Sequence, residues 1–144
     1  MNTEPGFVDH YLAYLLARAS HLISSEFHAV VQANGLSLME WRVMASLSGK
    51  TSLSVGELAD IVLAKQPTVT KLLGRMEEAG WIVRCDSALD KRQSLVSLTP
   101  IGQQKVNPLI AQAQVHERQV IAQTGEAETA QLKAVLEQMI AARS

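Results

Sequence analysis

One cysteine, Cys85, in 144 residues leaves no partner for an internal disulfide and no Cys-rich zinc module, as expected in a reducing compartment. Aromatic residues make up only 4% of the chain. The apolar positions lean instead on Ala, Leu and Val, a composition suited to helices packed on helices. No stretch approaches the roughly 20 apolar residues of a bilayer span, and the N-terminus shows no basic segment leading into an apolar run. A cytoplasmic protein with no membrane partner is expected. Positive charge is not in excess either: 13 Lys and Arg face 14 Asp and Glu, for a net charge of −1. Bulk electrostatics therefore gives no sign of a nucleic-acid partner. Gly-rich phosphate loops, nucleophile-elbow sequences and catalytically spaced carboxylate or His clusters are missing, which argues against an enzyme. The four histidines lack metal-ligand spacing. No metal or cofactor is expected, and a metal-responsive protein is a minor alternative.

What is present is an ordinary apolar fraction, 47%, enough for one domain over residues 1–144 with its own core. From Phe7 to about Gln32, the residues Val8, Leu12, Leu15, Leu16, Ala19, Leu22, Ile23, Phe27 and Val30 recur at spacings of three and four. That periodicity predicts a long amphipathic helix ended by Asn34-Gly35, with a stripe long enough to pack on a partner chain. Ser37-Leu38-Met39-Glu40 has the form of a capping box opening a second helix, and Ser54-Val55-Gly56-Glu57 repeats it for a third. A turn near Ala64 to Gln66 and Pro67 open a fourth, Pro67 to Ala79, closed by Gly80 in the left-handed position. Two short strands, Ile82 to Cys85 and Leu95 to Leu98, follow around a charged loop. Thr99-Pro100 starts another helix, kinked near Asn107-Pro108, and a break at Thr124-Gly125 precedes a last one.

Two short capped helices joined by a tight turn, then a two-stranded hairpin, is the order of a winged helix-turn-helix. The predicted fold is mainly α with a small β-hairpin wing. Charge, slightly negative overall, is unevenly spread: from Lys65 to Arg92, six cations face four carboxylates, a local net of +2. In the fourth helix Val69, Leu72, Leu73 and Met76 share one face, leaving Thr70, Lys71, Gly74 and Arg75 on the other. The candidate DNA contacts are Gln66, Thr68, Thr70, Lys71 and Arg75, with Lys91 and Arg92 from the wing tip. Thr, Lys and Arg bond bases and phosphates alike, so both roles stay open. An ion pair with Glu78 is the competing use of Arg75. Asp90 at the tip suits pairing with Arg84 or Arg92, so Arg84 and Asp90 are read as shaping the wing. A winged-helix module that binds protein partners is the alternative function.

Asp90-Lys91-Arg92 leading into Val96-Ser97-Leu98-Thr99 resembles the wing signature of the MarR (multiple antibiotic resistance regulator) family of transcription factors. Leu58-Ala59, Thr68-Val69-Thr70-Lys71-Leu72, Glu78-Ala79-Gly80-Trp81-Ile82 and Gly102 extend the likeness over the chain. The resemblance implies a homodimer held by residues 7–33 and 100–143, with residues 37–99 as the DNA-binding lobe. Such a dimer fits double-stranded DNA bearing a near-palindromic operator, with half-sites about 34 Å apart. The resemblance also implies a repressor released by a small anionic aromatic effector.

His10, Tyr14, Arg18, His21, Ser25 and His28 form a polar stripe on the first helix. Such a stripe is ordinarily a solvated face. Its sharper reading is a ligand site in which Tyr14 and Arg18, with Trp41, hold an aromatic acid, Arg18 pairing with the carboxylate. Cys85 beside Arg84 raises a redox-responsive alternative, against which a buried or half-buried inert thiol is expected.

Overall fold

The computed structural model describes residues 4–89 and 92–144. Asp90 and Lys91, expected at the wing tip, lie outside the described residues. Phe7–His10 forms a 3-10 turn in which the Asp9 carboxylate accepts the Gly6 N–H at 2.7 Å. That local closure leaves Tyr11 extended, so the first helix, α1, spans Leu12–Ala33 and does not begin at Phe7 as expected. Gly35, at φ +77°, turns the chain out of α1.

The other boundaries follow from their caps. Ser37 and Glu40 close both halves of a capping box at α2 (Leu38–Leu47), with bonds of 3.1 and 2.7 Å. At α3 (Val55–Val62) the Ser54 hydroxyl accepts the Glu57 N–H at 3.0 Å. Ser54 also belongs to a strand that was not expected, β1 (Leu53–Ser54). Leu63 caps α3 in the left-handed region, φ +61°, the only described residue other than glycine to do so. α4 spans Gln66–Glu78 with Pro67 in its first turn, and ends on Gly80, where Trp81 N donates to Met76 O and Gly80 N to Glu77 O. β2 (Ile82–Asp86) and β3 (Ser94–Leu98) form the expected hairpin. β1 joins its far edge, giving an antiparallel sheet ordered β1-β3-β2 with Leu53 opposite Val96 and Arg84 opposite Val96 on the other side. α5 (Pro100–Thr124) passes through Pro108 as one helix, and α6 (Glu126–Ala141) follows Gly125.

The residues divide into two compact units. One, His28–Ala111, contains nearly all of the buried core. Met44, Leu47, Leu58, Val62, Val69, Leu73, Met76, Ile82, Val96, Val106 and Leu109 are almost wholly enclosed there. The other runs from the N-terminus to Phe27 and from Gln112 to Ser144. Inside it the His116 ring stacks on Phe27 and lies 2.8 Å from the Glu26 carboxylate, while Lys133 pairs with Glu117 at 3.3 Å. Its apolar residues are open: Leu12, Leu15, Leu22, Val115, Leu132, Val135 and Ile140 are all exposed, and α6 buries none of its side chains.

Within the larger unit, α5 starts hard against the end of α4. Thr99 N donates to Trp81 O, and the Thr99 hydroxyl donates to Gly80 O while accepting the Gly102 N–H at 3.0 Å. A Cβ on Gly102 would run into the Trp81 carbonyl oxygen. That oxygen is backbone and cannot swing aside, so Gly102→Ala forces the start of α5 off the junction. Overpacking of this kind costs about 1–3 kcal/mol. Thermal denaturation followed by circular dichroism should show a drop of several degrees; a midpoint equal to that of the wild type would show the junction to be slack.

Candidate nucleic-acid interface

All described candidates for DNA contact lie in the unit His28–Ala111. In α4 the period of 3.6 turns Val69, Leu72, Leu73 and Met76 into the core. Gln66, Thr68, Thr70, Lys71 and Arg75 are consequently exposed together on the other side. The helix opens at Lys65 with no side-chain cap, so its first-turn amides and positive dipole end, at Thr68, are free to meet an anion. Arg75 forms no ion pair with Glu78 among the described residues. Gly74, expected to give the backbone close approach to a groove, is half-buried, and a Cβ there would lie 3.9 Å from the Arg84 guanidinium.

Arg84 is central to how the wing is held. Its partner is Glu77, in the last turn of α4. One Glu77 oxygen, Oε1, accepts from Arg84 Nη2 at 3.1 Å and from Nε at 3.3 Å; the other accepts the Arg84 backbone N–H at 3.0 Å. Three donors on one carboxylate fasten the first wing strand to the candidate reading helix. The backbone bond and the guanidinium hold the Glu77 carboxyl below the ordinary glutamate value. Arg84 thus joins the base of the wing to α4 through Glu77, a residue that sequence reasoning did not single out. The only available signal was an acid near the end of α4 and an arginine entering the strand.

Toward its tip the wing is closed by the Ser87 N–H donating to Gln93 O at 2.9 Å, and the Ser87 hydroxyl accepts the Leu89 N–H. Arg92 is exposed. Cys85 corrects an expectation: it is exposed and not buried. Strand alternation is the reason, because Ile82 is the residue of β2 that enters the core and Cys85, three positions on, faces the opposite side.

The three ligand candidates are divided. Tyr14 and Arg18 are exposed on α1, one helical turn apart, in the smaller unit; Trp41 is half-buried on α2 in the larger. Among the described residues no three His, Cys, Asp or Glu side chains are grouped to hold a metal ion.

Comparison with known proteins places this arrangement. A sequence model of the MarR family matches residues 34–93. The homoprotocatechuate degradative operon repressor of Escherichia coli is 33% identical over 132 residues, covering 90% of this chain and 88% of that protein. The crystal structure of the MarR family transcriptional regulator SPO1453 from Silicibacter pomeroyi DSS-3 superposes with a TM-score of 0.85 at 31% identity, covering 97% of this chain and all of that one. NadR, crystallised with 4-hydroxyphenylacetate, has the same fold at a TM-score of 0.83 and 21% identity, with 96% of this chain and 97% of that one covered.

The clamp makes a pH prediction. A carboxyl whose folded-state value is lowered adds stability that is complete above its unfolded value and is lost as pH falls through the folded one. Denaturant unfolding from pH 6 down past about 4.5, the ordinary glutamate value, should therefore show the wild type losing stability more steeply than Glu77→Gln. The difference should be small, because the pair is solvent-accessible. Parallel curves would mean that the carboxylate charge contributes nothing to the wing.

Proposed function

We propose that this chain, which belongs to the MarR family of transcriptional regulators, is a dimeric cytoplasmic repressor that binds a near-palindromic DNA operator and releases it on binding an aromatic acid. One observation carries the DNA reading: the exposed polar face of α4, from Gln66 to Arg75, is clamped through Glu77 and Arg84 to the wing that ends in Arg92. A helix anchored on its apolar side with a free polar side suits a major groove, and a basic wing tip suits the minor groove beside it. Gln66, Thr68, Thr70, Lys71 and Arg75, with Lys91 and Arg92, are the contacting residues in this reading, and Arg84 with Asp90 sets the shape of the wing.

The second chain is called for by the smaller unit. Exposed Leu12, Leu15, Leu22, Leu132, Val135 and Ile140 form more open apolar surface than a monomer ordinarily keeps in water. Two copies of the chain burying these faces, residues 7–33 and 100–143, form the dimer; residues 37–99 form each DNA-binding lobe. No described helix is long and apolar enough to cross a membrane, which agrees with a cytoplasmic site of action.

Two relatives support the effector. The Escherichia coli relative is named for an operon that degrades homoprotocatechuate, and NadR was crystallised with 4-hydroxyphenylacetate. Both compounds are hydroxylated phenylacetates. Arg18 supplies the cation for such a carboxylate, and Tyr14, one turn away, a hydroxyl.

Binding to a duplex carrying the promoter beside its own gene, measured across a salt series, tests the reading. The logarithm of affinity should fall linearly with that of salt, by about 0.9 per phosphate neutralised. Arg92→Ala should weaken binding, and a flat salt slope would overturn the DNA reading. Homoprotocatechuate or 4-hydroxyphenylacetate should weaken operator binding by the wild type and have no effect on Arg18→Ala. Equal release of both proteins would remove Arg18 from the effector site. In sedimentation, Leu132→Asp should shift a dimer to monomer and lose operator affinity; a wild type that sediments as monomer while binding DNA would overturn the dimer.

A further inference from the structure

Lys105, on the second turn of α5, is a half-buried residue whose ammonium is open to water, with no carboxylate partner among the described residues. Its two contacts lie on different elements. Nζ sits 5.0 Å from the centroid of the Trp81 ring and donates to the Asn34 carbonyl at 3.4 Å. The position of a Cβ on Gly35 is 3.9 Å away. Asn34 and Gly35 are where α1 ends, so the ammonium meets the negative end of that helix dipole. Trp81 is where α4 ends and β2 begins, and its carbonyl already receives Thr99 N at the start of α5. The stem of the lysine lies along the protein while its ammonium, at the surface, bridges a carbonyl and a ring face on two different elements.

We propose that Lys105 is a positioning residue for DNA binding: it pins the end of α1 to Trp81 and, through Trp81, sets the angle of the recognition helix and the root of the wing. The role rests on the DNA reading above. It does not require Lys105 to touch DNA, and that separates it from the cations of α4 and the wing. When the pin is drawn, Trp81 loses the cation that holds its ring, and α4 and β2 lose a shared reference point with α1. The recognition helix then samples more orientations, and specific binding weakens while the count of phosphate contacts stays the same.

The test uses the full chain and a duplex selected by the wild type from a randomised pool. Lys105→Met keeps the length and removes the charge; Lys105→Arg keeps a cation able to stack on the ring and donate to the carbonyl. Affinity should fall about two- to tenfold in Lys105→Met, in keeping with the loss of one cation–π contact and one hydrogen bond. The slope of log affinity against log salt should not change. The Trp81 indole N–H resonance, assigned by its loss in Trp81→Phe, should move in Lys105→Met, and Lys105→Arg should restore both resonance and affinity. In a Trp81→Leu background, Lys105→Gln should no longer cost affinity, a cycle that holds even where Lys105→Met folds poorly. A salt slope reduced by about one in Lys105→Met would make Lys105 a phosphate contact and overturn the proposal. Unchanged affinity with a shifted indole resonance would overturn it too, as would an equal loss in Lys105→Arg. A wild type that selects no duplex overturns the DNA reading itself, whereas a wild type that binds and a Lys105→Met that binds equally well overturn this role alone.

Discussion

The direction of α4 is set at its far end, where Thr99 binds the backbone of Gly80 and Trp81. One amide and one hydroxyl bind the two carbonyls of that turn, and the same hydroxyl caps α5 through Gly102. Everything that leaves this corner inherits its geometry: α4 on one side, β2 on another and α5 on the third. The corner works because Gly80 takes a left-handed turn at φ +82° and Gly102 brings no Cβ into the space the Trp81 carbonyl occupies. The wing clamp between Glu77 and Arg84 then extends the fixed corner outward by one helical turn and two residues of strand. The lobe is rigid at its root, and its polar surfaces are held out from that root.

Much of this was legible in the residues because it is local. Ser37 with Glu40, Pro67 and Thr99-Pro100 each satisfy or remove a backbone donor at a helix start, Gly80 lets the next amides serve the last carbonyls, and each marked its boundary to within a residue or two. The face of α4 was legible for a similar reason, since its apolar positions repeat at the helical period. What was hidden depends on pairs far apart in the chain. β1 is two residues long and exists only because β3 lies beside it, so no strand pattern announced it. Glu77 and Arg84 are seven positions apart on different elements, a spacing that no single helix or strand recognises. Lys105 meets Trp81 across 24 positions, and a lone lysine on a helix carries no mark of what it covers. Cys85 was in principle readable: alternation from Ile82 already put it on the outer side.

The two units differ in how they satisfy their apolar residues. In the larger, the side chains of five helices and a small sheet enclose one another, and nearly every large residue of the core is out of water. In the smaller, three helical segments bury almost nothing, and hold polar links such as His116 with Glu26 and Lys133 with Glu117 between them. Burying a leucine side chain is worth about 1.5–3 kcal/mol, so the stability of the smaller unit rests on what covers Leu132, Val135 and Ile140.

Leu63 shows a different side of the same design. A leucine in the left-handed region costs about 1–2 kcal/mol over glycine, so the turn between α3 and α4 runs against the preference of its own residue. Locally the bend is closed by the Leu63 and Ala64 N–H groups, which both donate to the Ala59 carbonyl. The bend is imposed from both sides, by Leu58, Ala59 and Val62 behind it and Val69 ahead, once these have found the core. The corner between the two helices therefore has two supports, the local bonds to Ala59 and the apolar side chains on either side, and together they hold a leucine where a glycine would sit more easily.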